Sequence, residues 1–259
     1  MLKFSPINDE KFFNPLYKRQ EYSAKEMADF EKNVRIYQAN LRKNACQNED
    51  ALVANALNPF WQNLGFDTAV KDKQEGASEV DLTIQKDENV KIIIEAKKQK
   101  ERGNDEMITP YECNRKALHE AILYYFRHRQ KSGEDTIKFV VITDFYHFYF
   151  FRAKEFENFF YKNPIIQRLY QHYADKNGKF SSASKFYENL KNALNSKAYE
   201  NSLCKAHLFD KRALQAFHLN LTPILKGDKF TKKHLEPFFK AFRKDFLFDE
   251  FNPNPSLFD

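Results

Sequence analysis

The chain has 259 residues, enough for one catalytic domain plus a further unit, and it carries a formal net charge of +6. It contains no apolar run near the roughly 18 residues needed to span a bilayer, and its charged N-terminus is unlike a signal peptide. Its three cysteines are widely separated, which argues against a zinc knuckle or a disulfide framework. We therefore expect a soluble, cytoplasmic protein with no membrane partner.

The positive charge is concentrated in the second part of the chain. Residues 151–259 hold 19 Lys and Arg against 12 Asp and Glu, whereas residues 1–150 hold 23 against 24. This distribution would suit an acidic catalytic centre beside a phosphate-binding surface. Ordinary solvated helix faces explain it equally well.

The predicted elements begin after an irregular arm at residues 1–22. The segment Ser23-Ala-Lys-Glu26 is a capping box that opens an amphipathic helix. A second helix is expected to begin near Asn48, to kink at Pro59 and to end at Gly65.

The hydrophobic period then changes from helical to extended. A capping box at Thr109-Pro-Tyr-Glu112 predicts a helix that runs to about Lys131. This helix divides five predicted strands, which are Phe66–Lys71, Glu79–Gln85, Val90–Ala96, Ile137–Asp144 and His147–Arg152. The order predicts a mixed α/β domain at residues 23–155.

Strand signals are not evident after residue 155. Residues 156–259 are therefore assigned to a C-terminal all-helical unit, a basic domain or connector that ends in the turn-like FNPNPSLFD. Its predicted helices cover 164–176, 181–195, 205–217 and 231–247.

The segment most informative about chemistry is the hairpin EVDLTIQKDENVKIIIEAKK, residues 79–98. Alternate residues of a strand share a face, so Glu95 and Lys97 point one way while Ile94 points the other. Asp81 lies on the paired strand, where it can reach the same end of the hairpin as Glu95. The sequence therefore predicts that two carboxylates and one ammonium converge.

Phosphodiester hydrolysis requires this combination of groups. Carboxylates hold hard Mg²⁺, for which Mn²⁺ can substitute, and the metal polarises the phosphate and lowers the pKa of bound water. A lysine positions or activates that water and offsets developing charge. A buried strand whose polar end reaches solvent, with Asp81 an incidental surface charge, would give the same pattern.

The order helix, strand, Asp81, hairpin, Glu95-Ala96-Lys97, helix, strand resembles the PD-(D/E)xK nuclease superfamily, with Val80 in place of the usual proline. Five segments are similar to the N-terminal nuclease region of type IIG restriction-modification enzymes, over roughly residues 45–160: NEDALVANALNPFWQNLGF, EVDLTIQ, IIIEAKK, KALHEAILYYFRHR and KFVVITDFYHFYFF. The resemblance implies a restriction-endonuclease-like core, with a mixed central sheet flanked by helices. It also implies a Mg²⁺-dependent endonuclease acting on double-stranded DNA, with Asp81, Glu95 and Lys97 as its catalytic core.

In type IIG enzymes the nuclease is joined to an adenine-methylating domain and a target-recognition domain. The six glycines of this chain never form the G-x-G of a methyltransferase loop, so we expect no S-adenosylmethionine site. The methyltransferase and target-recognition domains are then partners absent from this chain. The methylase-like Asn58-Pro59-Phe60-Trp61 lies inside an amphipathic helix and is interpreted as a kink with packed aromatics.

Several other residues are candidates for supporting roles. Glu49, near the start of the second helix, could be a third metal ligand beside Asp81 and Glu95, with Asp50 as the substitute if the helix face is off by one. The side chains of Lys98, Arg115 and Lys116 could contact DNA phosphates, although solvated surface positions explain them as well.

His119 and Glu120 follow on the helix after the hairpin. A histidine titrates near neutral pH and could act as an acid or base, but this helix must place some polar groups near the active edge in any case.

Three functional hypotheses remain open on the sequence. The first is the cleavage module of a type IIG restriction enzyme. The second is a repair or junction nuclease of the same fold, and the third is a non-catalytic DNA-binding or assembly remnant. All three core side chains are present, which favours the first two.

Overall fold

The computed structural model describes residues 2–72, 79–99, 106–132, 136–175, 182–205 and 213–248. The strands are β1 (Phe4–Ile7), β2 (Asp67–Asp72), β3 (Val80–Lys86), β4 (Asn89–Ala96), β5 (Phe139–Thr143), β6 (His147–Arg152) and β7 (Leu214–Asn220). The helices before β5 are α1 (Asp9–Phe12), α2 (Pro15–Lys18), α3 (Ala24–Lys43), α4 (Glu49–Leu52), α5 (Asn58–Asn63) and α6 (Lys116–Ser132). Those after β6 are α7 (Ala153–Phe156), α8 (Pro164–Ala174), α9 (Ala183–Leu194), α10 (Lys197–Lys205), α11 (Thr222–Leu225), α12 (Lys232–Ala241) and α13 (Lys244–Leu247).

The strands form one mixed sheet in the order β1-β7-β6-β5-β4-β3-β2. The pairs β1 with β7 and β4 with β5 are parallel, and the other neighbours are antiparallel. The carboxyl ends of β4, β5 and β7 therefore lie at one edge of the sheet, together with the start of β6. The predicted α/β class with a mixed sheet is confirmed.

Helices cover both faces of the sheet. On one face, Leu82, Ile94 and Phe150 pack with helices α3, α5 and α12. On the other face, Ile93 and Val140 pack with α6, α8 and α9. The central strand β5 is buried at every position, as expected for a strand covered on both sides.

The first two predicted helices are present, and local chemistry explains their bounds. The Ser23 hydroxyl accepts the Glu26 N–H, and the Glu26 carboxylate accepts the Ser23 N–H, which completes the capping box of α3. Asn48 caps α4. A π-helical turn at Val53–Leu57 separates α4 from α5, and Pro59, where the kink was expected, is the second residue of α5.

The C-terminal part is not all-helical in the residues described. The segment Leu214–Asn220, whose first four residues were assigned to the predicted helix 205–217, is strand β7 between β6 and β1. Both of its faces are buried, so its apolar residues lack clean alternation and their spacing imitates a helix. Phe4–Ile7, assigned to the irregular arm, is the edge strand β1, where its proline is tolerated.

The helix expected from Thr109 begins instead at Lys116. The Thr109 hydroxyl accepts the N–H groups of Tyr111 and Glu112, as in a helix cap, but the Thr109 N–H donates back to the Glu112 carbonyl at 2.8 Å. The chain therefore closes a turn before α6 starts.

Other predicted helices of the C-terminal part are found as α8, α9, and the pair α12 and α13. The expected turn-like tail at 251–259 lies outside the described residues. Within the described ranges, no helix has the length and apolar character needed to cross a bilayer.

Candidate active site

Strand β4 places a glutamate in the interior of the protein. Ile92, Ile94 and Ala96 pack on the α3 side of the sheet, whereas Ile93 packs on the α6 side. Glu95 alternates with Ile94 and so lies on the same side as Ile93. Glu95 is only 1% exposed. A carboxylate this deeply buried is stable only with charged or hydrogen-bonding partners.

Asp81 lies beside Glu95 on the neighbouring strand. Leu82 pairs with Ile94 in the β3–β4 register, and one further step along the two antiparallel strands places Asp81 opposite Glu95. Directly opposed residues share a face, with Cβ atoms about 5 Å apart. The Ala96 N–H donates to Asp81 Oδ2 at 2.8 Å and fixes this carboxylate. The two acids are thus brought together on one side of the sheet.

Lys97 follows directly after β4, and its ammonium lies among carboxylates. Its N–H donates to the Thr143 carbonyl at 2.8 Å, which extends the β4–β5 pairing. Its Nζ lies 2.5 Å from Glu95 Oε1, 3.0 Å from Glu120 Oε2 and 3.2 Å from Glu49 Oε1. With Asp81 opposite Glu95, four acidic residues surround one buried ammonium.

Glu49 enters this cluster because Asn48 starts α4 at the right place. Glu49 Oε2 accepts the Lys98 N–H at 2.6 Å while its other oxygen contacts Lys97. The neighbouring Asp50 turns outward and forms an exposed ion pair with Lys71 at 2.7 Å. The structure therefore places Glu49, rather than Asp50, at the cluster.

Two residues of α6 lie at the cluster: Glu120, which the sequence analysis considered beside His119, and Tyr124, which it did not single out. Glu120 contacts Lys97 directly. Tyr124 is buried one helical turn later, and burial, followed by the nearby Glu95 carboxylate, raises the pKa of its phenol. The signal available in the sequence was their i,i+4 spacing, which puts both on one helix face.

Burial and mutual repulsion perturb both central acids. Desolvation raises the pKa of Asp81 to about 6, against the lowering influence of Lys97 and the Ala96 N–H. Desolvation, then repulsion from Asp81, raises the pKa of Glu95 well above its ordinary value. Burial disfavours the Lys97 ammonium, but Glu95, Glu120, Asp81 and Glu49 together outweigh it and raise the Lys97 pKa. Lys97 therefore stays protonated, but its single positive charge does not balance the carboxylates around it.

The donor set fits a hard divalent cation held by a small number of protein ligands. In the part of the chain that the structure describes, Glu95 Oε2 is buried without a hydrogen-bond partner. No group of three or more Asp, Glu, His or Cys side chains is arranged as a complete metal site among those residues. Mg²⁺ is commonly held by one or two carboxylates, with water and substrate phosphate completing its shell. Asp81 and Glu95 match that arrangement, while both Glu49 oxygens already accept from Lys97 and Lys98.

The three residues considered for phosphate contacts differ in their relation to the cluster. Lys98 Nζ donates to the Gln47 carbonyl at 2.5 Å. Arg115 pairs with Glu112 at 2.5 Å just before α6. Lys116 Nζ lies 3.9 Å from Glu120 Oε1, so it is within reach of the acids that hold Lys97.

The surroundings of His119 indicate a structural role. Its Nε2 and Asn114 Oδ1 are 2.7 Å apart, and burial, with a smaller contribution from Lys191, lowers the histidine pKa to about 3. The ring therefore stays neutral at physiological pH and is a poor acid–base catalyst. Phe60 and Trp61 of the methylase-like segment are packed in the core, as expected for a structural kink.

Residues 7–255 match the family model described as Domain of unknown function (DUF7149). No curated protein and no solved structure matches the chain. The match includes every residue of the acidic cluster, from Glu49 to Tyr124, so the cluster lies within the domain that defines the family.

Proposed function

The chain belongs to the DUF7149 family, and we propose that it is a Mg²⁺-dependent endonuclease of the PD-(D/E)xK type that hydrolyses DNA phosphodiester bonds. One observation supports this proposal above the others. Asp81 and Glu95 share one side of the sheet at the end of β4, and the Lys97 ammonium contacts Glu95 there at 2.5 Å.

In the proposed reaction, the side chains of the cluster have different roles. Asp81 and Glu95 would hold the cation, which supplies Lewis-acid activation of the phosphate and of water. Lys97 acts as a hydrogen-bond donor rather than a base, because its surrounding carboxylates keep it protonated. Its ammonium stabilises the negative charge that develops on the phosphate oxygens. Glu49 and Glu120 orient that ammonium from two helices.

The proposal takes double-stranded DNA as the substrate because of the resemblance to type IIG nuclease regions and the basic side chains near the cluster. The Lys116 ammonium lies 3.9 Å from Glu120, and the Lys98 backbone contacts Glu49 while its ammonium reaches the Gln47 carbonyl, so both lysines are candidates for contacts with backbone phosphates. Phosphate contacts position a duplex without reading its sequence. We therefore place the chain as a cleavage module, with methylation and target recognition supplied by separate domains.

The test is plasmid cleavage by the purified chain in Mg²⁺ or Mn²⁺. The wild-type chain is expected to nick supercoiled plasmids slowly and without sequence preference, and EDTA should abolish the reaction. Asp81→Asn, Glu95→Gln and Lys97→Met should each lower the rate by at least about 100-fold. Asp50→Asn is the matched control, because this carboxylate lies one residue from Glu49 but faces solvent. Cleavage that survives EDTA, or that Asp81→Asn leaves intact, would contradict the proposal.

A further inference from the structure

Lys226 is an exposed lysine whose ammonium is nevertheless held in place. Its Nζ donates to Gln99 Oε1 at 2.9 Å and lies 4.3 Å from the centroid of the Tyr146 ring. Surface lysines usually keep a flexible four-carbon stem and lose much rotamer freedom when they bind a ligand. A lysine fixed in advance avoids part of that entropic cost.

The hydrogen bonds of Lys226 connect it to the catalytic strand. Gln99 lies two residues after Lys97, and its Nε2 donates to Asp144 Oδ2 at 2.7 Å. Asp144 follows the carboxyl end of β5, next to Thr143, whose carbonyl accepts the Lys97 N–H. The Lys226 ammonium is therefore tied to the same edge of the sheet as the acidic cluster.

Hydrogen bonds from α3 also fix the turn that carries Lys226. Buried Gln38 of α3 donates to the carbonyls of Ile224 and Leu225, at 3.1 and 3.0 Å, and to Asp228 Oδ1 at 2.7 Å. A Cβ at Gly227 would lie 2.7 Å from the Pro223 carbonyl oxygen, so the turn closes tightly around a glycine. The backbone at position 226 is set by the core rather than by solvent.

The charge of Lys226 is left uncompensated by this arrangement. It donates to a neutral amide, and among the described residues it forms no ion pair with a carboxylate. Asp144, the nearest acid in the chain of hydrogen bonds, is satisfied by other donors. These are the N–H groups of Tyr146 and His147, the His147 ring and Gln99. A fixed and unneutralised cation therefore remains beside the proposed cleavage site.

We propose that Lys226 is a preorganised contact for a backbone phosphate of bound DNA, beside the phosphate that is cleaved. This inference rests on the proposed nuclease function. A lysine binds phosphate as a point charge, without the planar geometry that arginine requires. Such a contact positions the duplex over Asp81, Glu95 and Lys97 and adds affinity regardless of base sequence.

The experiment compares Lys226→Ala and Lys226→Arg with Lys229→Ala in the full chain. Lys229 is the matched control, because it is an exposed lysine of the same turn whose side chain forms no hydrogen bond, ion pair or ring contact with the described residues. Binding to a fluorescent duplex is measured by anisotropy with Ca²⁺, over a range of salt concentrations. The plot of log K against log salt has a negative slope. Lys226→Ala should make this slope less steep by about 0.9, which is the contribution of one phosphate contact.

The effect should be equal on duplexes of different sequence, and Lys226→Arg should restore the slope. Lys229→Ala should change it much less, and thermal unfolding should show all three variants folded. A wild-type slope in Lys226→Ala, or an equal loss in Lys229→Ala, overturns the inference while plasmid cleavage still supports the nuclease. A wild-type chain that neither binds nor cleaves DNA overturns both.

Discussion

Replacement of Asp81 by asparagine should make the folded protein more stable at neutral pH in the absence of divalent cations. The folded state raises the pKa of this carboxyl from an ordinary 3.8 to about 6, chiefly by burial. Its contribution to stability is therefore present below pH 3.8 and is lost as the pH rises through about 6. Asparagine cannot ionise, and its side-chain oxygen can still accept the Ala96 N–H.

The magnitude follows from the size of the shift. Each pKa unit corresponds to 1.36 kcal/mol, so a shift of roughly two units gives at most about 3 kcal/mol. This is a large fraction of the 5–15 kcal/mol that stabilises a typical protein. The difference in unfolding free energy between Asp81→Asn and wild type should therefore increase by up to about 3 kcal/mol between pH 4 and pH 7.

The assay is urea unfolding in EDTA, followed by circular dichroism across that pH range. Asp50→Asn provides the control, since its exposed pair with Lys71 should contribute about 1 kcal/mol or less. If the stability of Asp81→Asn relative to wild type does not increase with pH, the acidic cluster is not under the electrostatic strain inferred from its burial.

Three further outcomes are expected. Ca²⁺ or Mn²⁺ at a concentration 100 times its dissociation constant should stabilise the wild type by about 2.7 kcal/mol, which is measured as a higher Tm. The Tm of Asp81→Asn should not change. An unchanged wild-type Tm would argue against a metal site. Lys97→Met should cost about 3–5 kcal/mol in urea unfolding at pH 8, because it leaves the buried carboxylates without their cation. Lys98→Met is its control, and an equal cost there would count against a special role for Lys97. Gly227→Ala should cost about 1–3 kcal/mol, since its Cβ would collide with the Pro223 carbonyl, and a neutral effect would show that the turn adapts freely.

The hairpin that carries the proposed site could be predicted from sequence because its polar residues interrupt a regular apolar pattern. An apolar strand that ends in Glu95 and Lys97 must either bury charge or reach solvent, and the period of two puts both side chains on one face. The turn pairs Lys86 with Asn89 and Gln85 with Val90, and a register shift between Ile84 and Gln85 then moves the pairing by one residue, which brings Asp81 opposite Glu95. The period of the strand therefore determines the shared face of Glu95 and Lys97, whereas the position of Asp81 opposite Glu95 also depends on this register shift.

Contacts between distant elements were less accessible to sequence. Glu120 approaches Lys97 only because α6 packs across the face of β4, and no local periodicity encodes that packing direction. Thr109 has the right residues for a helix cap, yet its backbone bonds close a turn instead. The first outcome therefore depends on tertiary packing, and the second on hydrogen bonds within the turn itself.

The position of β7 changes the meaning of the charge asymmetry in the sequence. A separate helical unit after residue 155 would place the excess of basic residues on a connector. Strand β7 instead pairs with both β6 and β1, so the C-terminal segment completes the same sheet that carries Asp81 and Glu95. The chain after β7 returns at the edge where β4 ends, and this brings Lys226 to Gln99. Acidic and basic parts that are distant in sequence thus meet at one edge, as the proposed cleavage of a polyanion would require.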